Sequence, residues 1–235
     1  LPESQCKNAV APFEVIPLIL GKCKTIEQVQ NLFATLQIAA IPYSQDYPLT
    51  DLHWMVSDRN GSIVIEQRKD GLKIFPNPLE VLTNNPPFEY HWENIKNYLS
   101  LQDEKPTNKI AHAVPLSPYS RGMGAMGLPG DFSSSSRFVK AVFTKFHSAV
   151  TETEEGSVHQ LFHILDGVAQ QDGCVKVGQL YEKTIYSCCC NADEGIYYYK
   201  TYENSRINAV QMGKEDLDAD RPIIFPFRTK PDIFW

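Results

Sequence analysis

The sequence predicts an α+β fold in which antiparallel strands are layered with helices. Three observations carry this. Helical and extended segments come in blocks, helices then strands, then helices then strands again, and not in βαβ alternation. Consecutive extended segments are joined by turn signals such as Asn60-Gly61 and Asp70-Gly71. No internal repeat interrupts the order, and the only low-complexity stretch is the serine run at 133–136.

The elements follow in order. Residues 10–20 have helical spacing, with Val10, Phe13, Ile16 and Pro17 on one side. Pro17 demands a kink or a place in the first turn. Thr25-Ile26-Glu27-Gln28 is a capping box, and Val29, Leu32, Phe33 and Leu36 then line one face of a second helix. Strands are expected at 52–57, 62–67, 72–75 and 80–83, then a helix at 88–99. In the second strand Ile63 and Ile65 oppose Val64 and Glu66. Residues 101–131 are irregular and rich in Pro, Ser and Gly, and loops this long in a compact domain are usually functional or interfacial. Helices at about 134–149 and 157–170 come next, the latter with Val158, Leu161, Phe162, Leu165 and Val168 as its stripe. Strands at 183–190, 195–202 and 205–211 close the pattern.

Composition excludes several classes. A hydrophobic fraction of 43% against 21% charged residues can repay the entropy of ordering, which excludes a disordered chain. No apolar run approaches the ~18–20 residues of a membrane span; the longest, at 15–20, contains Pro17. A net charge of −6 argues against nucleic-acid binding, which favours a basic face. The six cysteines (Cys6, Cys23, Cys174, Cys188, Cys189, Cys190) form no C-x-x-C pair. Three are adjacent in an expected strand, where side chains alternate between faces. They read as free thiols in a reducing, cytoplasmic setting. Residues 1–20 show no signal peptide pattern.

Three motifs fail on context. Gly122-Met-Gly124-Ala-Met-Gly127 matches a dinucleotide fingerprint, but Pro118-Tyr-Ser-Arg precedes it and Leu128-Pro129-Gly130 follows, where a strand and a helix are required. His159 and His163 lie one helical turn apart, with Glu155 a turn before, yet position 160 is Gln and not the Glu of a zinc hydrolase. Asn60-Gly61-Ser62 is a glycosylation sequon that the hairpin already explains. No G-x-S-x-G elbow is present. No cofactor and no metal is implied.

Three further stretches remain. Val81-Leu82-Thr83-Asn84-Asn85-Pro86 ends an extended segment in two amides and a proline. Gly127-Leu-Pro-Gly130-Asp131 leads into a helix with Arg137 in its first turns. Cys188-Cys189-Cys190-Asn191 pairs with Gly195-Ile-Tyr-Tyr-Tyr-Lys200-Thr-Tyr202 as an aromatic hairpin. Taken with Asn8-Ala-Val-Ala-Pro-Phe-Glu14 and Leu52-His53-Trp54, they resemble the choloylglycine hydrolase family of bile salt hydrolases and penicillin V acylases, over essentially the whole chain. The bile salt hydrolase branch is the more similar.

The resemblance implies an N-terminal nucleophile hydrolase with a four-layer αββα sandwich, formed by residues 1–235 as a single domain without its opening strands. It implies a cysteine nucleophile at the mature N-terminus, whose free amine acts as base. Residue one here is Leu1, and Cys6 is no substitute: it leads into the first helix and has no α-amino group. The family's nucleophile, and the arginine, aspartate and second amide donor near it, are therefore expected in a segment ahead of Leu1. The resemblance makes Asn84 an oxyanion-hole donor and Arg137 a cation beside the nucleophile, where lysine is not equivalent. It places the 101–131 loop at the pocket rim or a subunit interface. The implied partners are conjugated bile acids, with neither nucleic acid nor membrane, and the implied assembly is a homo-oligomer, a tetramer by likeness. The implied activity is hydrolysis of glycine- or taurine-conjugated bile acids. Penicillin V hydrolysis, and bile-acid binding without turnover, are the alternatives.

Overall fold

A computed structural model describes residues 8–233; Cys6 and Leu1 lie outside the described residues. The chain divides into two compact units, Leu1–Ser100 and Leu101–Trp235. The α+β class holds in both, with antiparallel three-stranded sheets and one short parallel pair in the first unit.

The first unit is built on a three-stranded meander, β3 (His53–Asp58), β4 (Gly61–Arg68) and β5 (Gly71–Pro76). Its register pairs His53 with Glu66, Asp58 with Gly61, and Arg68 with Gly71. Asp58 Oδ1 accepts from the Asn60 amide at 2.7 Å, an Asx turn that closes the first hairpin. The positive φ falls on Gly61 (147°), not on Asn60. Before the meander, β1 (Ala9–Val10) pairs in parallel with β2 (Gln37–Ile38). Between them lie α1 (Val15–Lys22) and α2 (Ile26–Phe33). Pro17 sits in the first turn of α1, where its missing N–H costs nothing. The buried face of α1 is Val15 and Ile19; Phe13 and Ile16 are exposed, because an initial 3₁₀ turn at Pro12–Glu14 rotates the helix phase. At the start of α2, Thr25 Oγ1 accepts from the Gln28 amide, and Gln28 Oε1 reaches back to the Lys24 amide at 2.7 Å.

Every residue from Ser62 to Glu66 is buried, so both faces of β4 are covered. Ile63 and Ile65 join Trp54, Val29, Phe33, Val15 and Ile38 in the apolar core. The opposite face carries Val64 and Glu66 and meets α3 (Phe88–Asn94), where the Phe75 and Phe88 rings pack 6.0 Å apart. The helix expected at 88–99 is thus α3 continued by a 3₁₀ turn, Ile95–Tyr98.

The strand expected at 80–83 does not form. Glu80 adopts a left-handed φ of 51°, which breaks an extended run. The Glu80 amide bonds the Asn77 carbonyl at 3.0 Å, and the Asn77 side chain donates to the Val81 carbonyl at 3.1 Å. Residues 77–87 form a pinned loop in place of a fourth strand.

In the second unit, 101–131 is irregular apart from a 3₁₀ turn at Met123–Ala125. The three glycines of the rejected fingerprint have steric reasons. Gly122 and Gly127 have φ of 76° and 99°. A Cβ on Gly124 would stand 2.0 Å from the Glu104 carbonyl oxygen, so the backbones of 102–104 and 122–125 can pack only through glycine. Two helices follow, α4 (Ser134–His147) and α5 (Glu154–Asp166). Then come a short hairpin unanticipated in the sequence, β6 (Val175–Val177) with β7 (Leu180–Glu182), and a sheet ordered β10–β9–β8. Its strands are β8 (Tyr186–Asn191), β9 (Ile196–Thr201) and β10 (Asn208–Gln211). Alternation sorts its residues: Tyr198 and Lys200 meet α5 through Glu154 and Asp166, while Tyr199 packs on Phe227. Cys23, Cys174, Cys188, Cys189 and Cys190 are free thiols. Burial pushes the Cys189 thiol up to about 11, so it is not a reactive thiolate at neutral pH.

Candidate functional site

In the first unit a cleft of about 550 Å³ opens at the end of the meander. Its size is that of a small-molecule site. Leu49, Leu52, Trp54 and Pro87 give it apolar walls; His53, Glu66, Arg68, Asp51 and Asn85 give it polar ones.

Glu66 organises this end of the unit. Its side chain is buried, yet its oxygens are engaged on all sides. Arg68 donates to Oε2 from both Nε (2.9 Å) and Nη2 (2.6 Å). The Phe88 amide, first in α3, donates to Oε1 at 2.8 Å. His53 Nδ1 stands 3.7 Å from the same oxygen. Arg68 bonds Glu89 as well and lies over the Phe75 ring. A buried carboxylate is tolerable only when paired and hydrogen-bonded in this way.

Asn84 and Asn85 stand at the end of the pinned loop, both exposed. Asn85 reaches the cleft, where its amide donates to Asp51 Oδ2 at 3.2 Å. Asn84 is held by its backbone: its carbonyl faces His91 Nε2 at 3.0 Å. His91 is wholly buried.

The pKa of His53 is lowered by burial and by the neighbouring His91, against the opposing pull of Glu66 and of the Thr83 carbonyl. The unfolded chain therefore binds a proton that the folded one resists. This contribution to stability is complete above the unfolded pKa of about 6.5 and is lost as the pH falls below it. Expected outcome: the urea midpoint drops between pH 7.5 and pH 5.5, and drops less in His53→Gln. Equal drops in both proteins would refute the assignment.

Arg137 belongs to the second unit, in the first turns of α4. The structure shows how its backbone is fixed. Ser133 caps the helix by accepting from the Ser136 amide. Asp131 accepts from the Ser133 amide at 2.9 Å and from the Ser136 hydroxyl at 2.6 Å. These donors hold the Asp131 carboxyl down at about 2. The Arg137 guanidinium is half-buried and donates from Nε to the Val168 carbonyl at 3.1 Å, with Glu182 nearby. Burial lowers its pKa, but a guanidinium stays charged at neutral pH. His159 and His163 are exposed on α5, and among the described residues no three metal-ligating side chains cluster.

The model of the linear amide C–N hydrolases, choloylglycine hydrolase family, matches residues 2–225. The chain belongs to the choloylglycine hydrolase family. It is 48% identical over 229 residues to a bile salt hydrolase/transferase of Lactiplantibacillus plantarum, covering 97% of this chain and 71% of that protein. It is 36% identical to the bile salt hydrolase/transferase of Clostridium perfringens, covering 91% and 66%. Among solved structures, a mutant conjugated bile acid hydrolase from Clostridium perfringens matches with a TM-score of 0.86 and 33% identity, covering 98% of this chain and 71% of that one. A penicillin V acylase from Agrobacterium tumefaciens matches with a TM-score of 0.68 at 17% identity, a likeness of fold. The choloylglycine hydrolase fold is thus an α+β N-terminal nucleophile hydrolase fold here too, and its chemistry is hydrolysis of linear amides.

Within this family reading, Asn84 and Arg137 are the two residues the sequence singled out. The carboxylate and the two histidines around Asn84 were not. Glu66 is one position of an alternating strand with no motif around it, and His53 and His91 likewise carry no chemistry-bearing signature in the sequence. Only the placement of α3 on the second face of β4 brings them together. No helix of the described residues is long and apolar enough to cross a membrane.

Proposed function

We propose that this protein hydrolyses the amide bond that joins glycine or taurine to a bile acid. The observation that carries the reading is near-half identity to a bile salt hydrolase/transferase across almost the entire chain. The penicillin V acylase is similar only at the level of the fold.

The chemistry follows the family. In the family's scheme a cysteine thiolate attacks the amide carbonyl. The carbonyl π electrons move to oxygen, giving a tetrahedral oxyanion. Its collapse breaks the C–N bond, the departing nitrogen takes the proton that the nucleophile's own α-amine removed from the thiol, and glycine or taurine leaves. The resulting thioester is cleaved by water, which releases the bile acid and restores the thiol. In this scheme the Asn84 side-chain amide donates to the oxyanion, and the Arg137 cation favours thiolate over thiol. A loop fixed by buried partners supports the first role. A half-buried guanidinium anchored at Nε supports the second.

A lysine at 137 keeps a charge but loses the planar fork that bonds Val168 while presenting its other N–H groups. Arg137→Lys is expected to lower kcat about tenfold or more and to raise the pH at which the thiol ionises. The pH dependence of thiol alkylation reads the second effect; an unaltered profile counts against the role.

Free thiols and the mildly acidic composition support a cytoplasmic setting. Large exposed apolar side chains on the 101–131 loop, Ile110 and Tyr119 among them, support a homo-oligomer, a tetramer by likeness. The function is tested with the protein expressed from its natural coding sequence. Glycocholate, taurocholate and penicillin V are assayed side by side for released amine. Faster release of glycine or taurine is expected. Turnover of penicillin V alone, or no turnover of any conjugate by a folded protein, overturns the proposal.

A further inference from the structure

We propose that His91 is the positioning residue for Asn84. The inference rests on the reading of Asn84 as the oxyanion donor and adds what aims it. Asn84 is itself exposed and lies in the pinned loop of residues 77–87. Three carbonyls of this loop are gripped from outside it or across it. Asn77 holds the Val81 carbonyl, His53 faces the Thr83 carbonyl, and His91 holds the Asn84 carbonyl.

The His91 contact is the one that bears directly on Asn84. A carbonyl oxygen only accepts, so Nε2 carries the proton and donates across 3.0 Å. The ring is fully buried on α3 and has no freedom to follow a moving loop. Helix α3 is in turn tied to β4 through the Phe88 amide and Glu66. The chain of attachment runs from the sheet through Glu66, α3 and His91 to the Asn84 peptide. The Asn84 side chain departs from the Cα next to that anchored carbonyl. Tilting the peptide plane moves the amide donor, and a misplacement of about 1 Å can cost about a hundredfold in rate.

The test uses the whole natural protein. His91→Phe fills the space without a donor; His91→Met does so with a smaller, flexible chain; His91→Gln keeps an N–H of similar reach. The expected result is a fall of roughly tenfold in kcat for Phe and Met at little-changed KM, with most of the loss restored in Gln. The same substitutions in an Asn84→Ala background are expected to leave kcat where Asn84→Ala alone puts it, because the positioned group is gone. If Asn84→Ala does not lower kcat, the oxyanion reading fails whatever His91 does. If Asn84→Ala lowers kcat but folded His91→Phe and His91→Met do not, or if their effects add fully to it, the positioning role is overturned. A second readout needs no variant: long-range ¹H–¹⁵N correlation of the His91 ring must show the proton on Nε2, and a proton on Nδ1 alone overturns the proposal.

Discussion

Replacing Asn84 with alanine is expected to lower kcat about 10²–10³-fold, equivalent to ~2.7–4 kcal/mol of barrier, with KM and melting temperature nearly unchanged. The reasoning starts from where charge develops. The ground-state amide oxygen carries little negative charge, and the tetrahedral oxygen carries nearly a full one. A donor aimed at the second position acts mainly on the transition state, so its loss appears in kcat and not in substrate binding. The fold can tolerate the change because Asn84 is exposed and the loop is held by other groups: Asn77, His53 and the backbone contact of His91. Alanine at 84 keeps the carbonyl that His91 grips. Asn85→Ala is the internal comparison. Its amide is engaged by Asp51 at the cleft wall, so its loss should fall on KM more than on kcat. The measurement is steady-state release of glycine or taurine by both variants. A loss in kcat of less than about threefold for Asn84→Ala would remove this residue from the oxyanion hole.

The meander, the capped second helix and the aromatic hairpin were legible because each rests on local rules. Asp58-Arg59-Asn60-Gly61 specifies a turn wherever it occurs, and Thr25 and Gln28 cap a helix through contacts three and four residues apart. The short pairs β1–β2 and β6–β7 were not legible: two or three residues carry no period, and their partners are set by the rest of the fold. The strand expected at 80–83 failed for a similar reason. Its residues have strand character, but a left-handed Glu80 and the Asn77 side chain divert the backbone into a loop. That same diversion presents Asn84. The two candidate site residues were found by likeness to a family. The partners that fix them were invisible in one dimension, since Glu66, His53 and His91 come from two strands and a helix that the fold alone brings together.

The largest expected loss of stability comes from Glu66→Ala, about 3–5 kcal/mol, the usual cost of breaking a buried, hydrogen-bonded ion pair. Glu66 is buried and receives three donated hydrogen bonds, two from Arg68 and one from the Phe88 amide. Alanine removes both acceptor oxygens, and with them all three bonds, at once. Arg68 keeps Glu89, but that carboxylate is largely exposed and screened, so the guanidinium is left poorly compensated at a partly buried position. The Phe88 amide is left without its side-chain acceptor at the start of α3, in a place where water has little access. Glu66→Gln should cost less, because one amide oxygen still accepts while the other acceptor becomes a donor facing Arg68. Against a typical total of ~5–15 kcal/mol, the alanine variant sits near the edge of folding, and urea denaturation at 15 °C gives the clearest comparison. A second effect separates the anchor from a merely structural salt bridge. With α3 released from β4, the peptide of Asn84 loses its fixed reference, so kcat per folded molecule should fall in Glu66→Ala and be largely kept in Glu66→Gln, whose oxygen can still accept from the Phe88 amide. An apolar residue at 66 would pack against Val64 and Phe88 at least as well as a carboxylate does; what it would lack is the register that ties the first amide of α3 to one rung of the sheet. A Glu66→Ala protein with full kcat per folded molecule, or one within about 1 kcal/mol of the parent, would show that α3 is held by its apolar contacts alone.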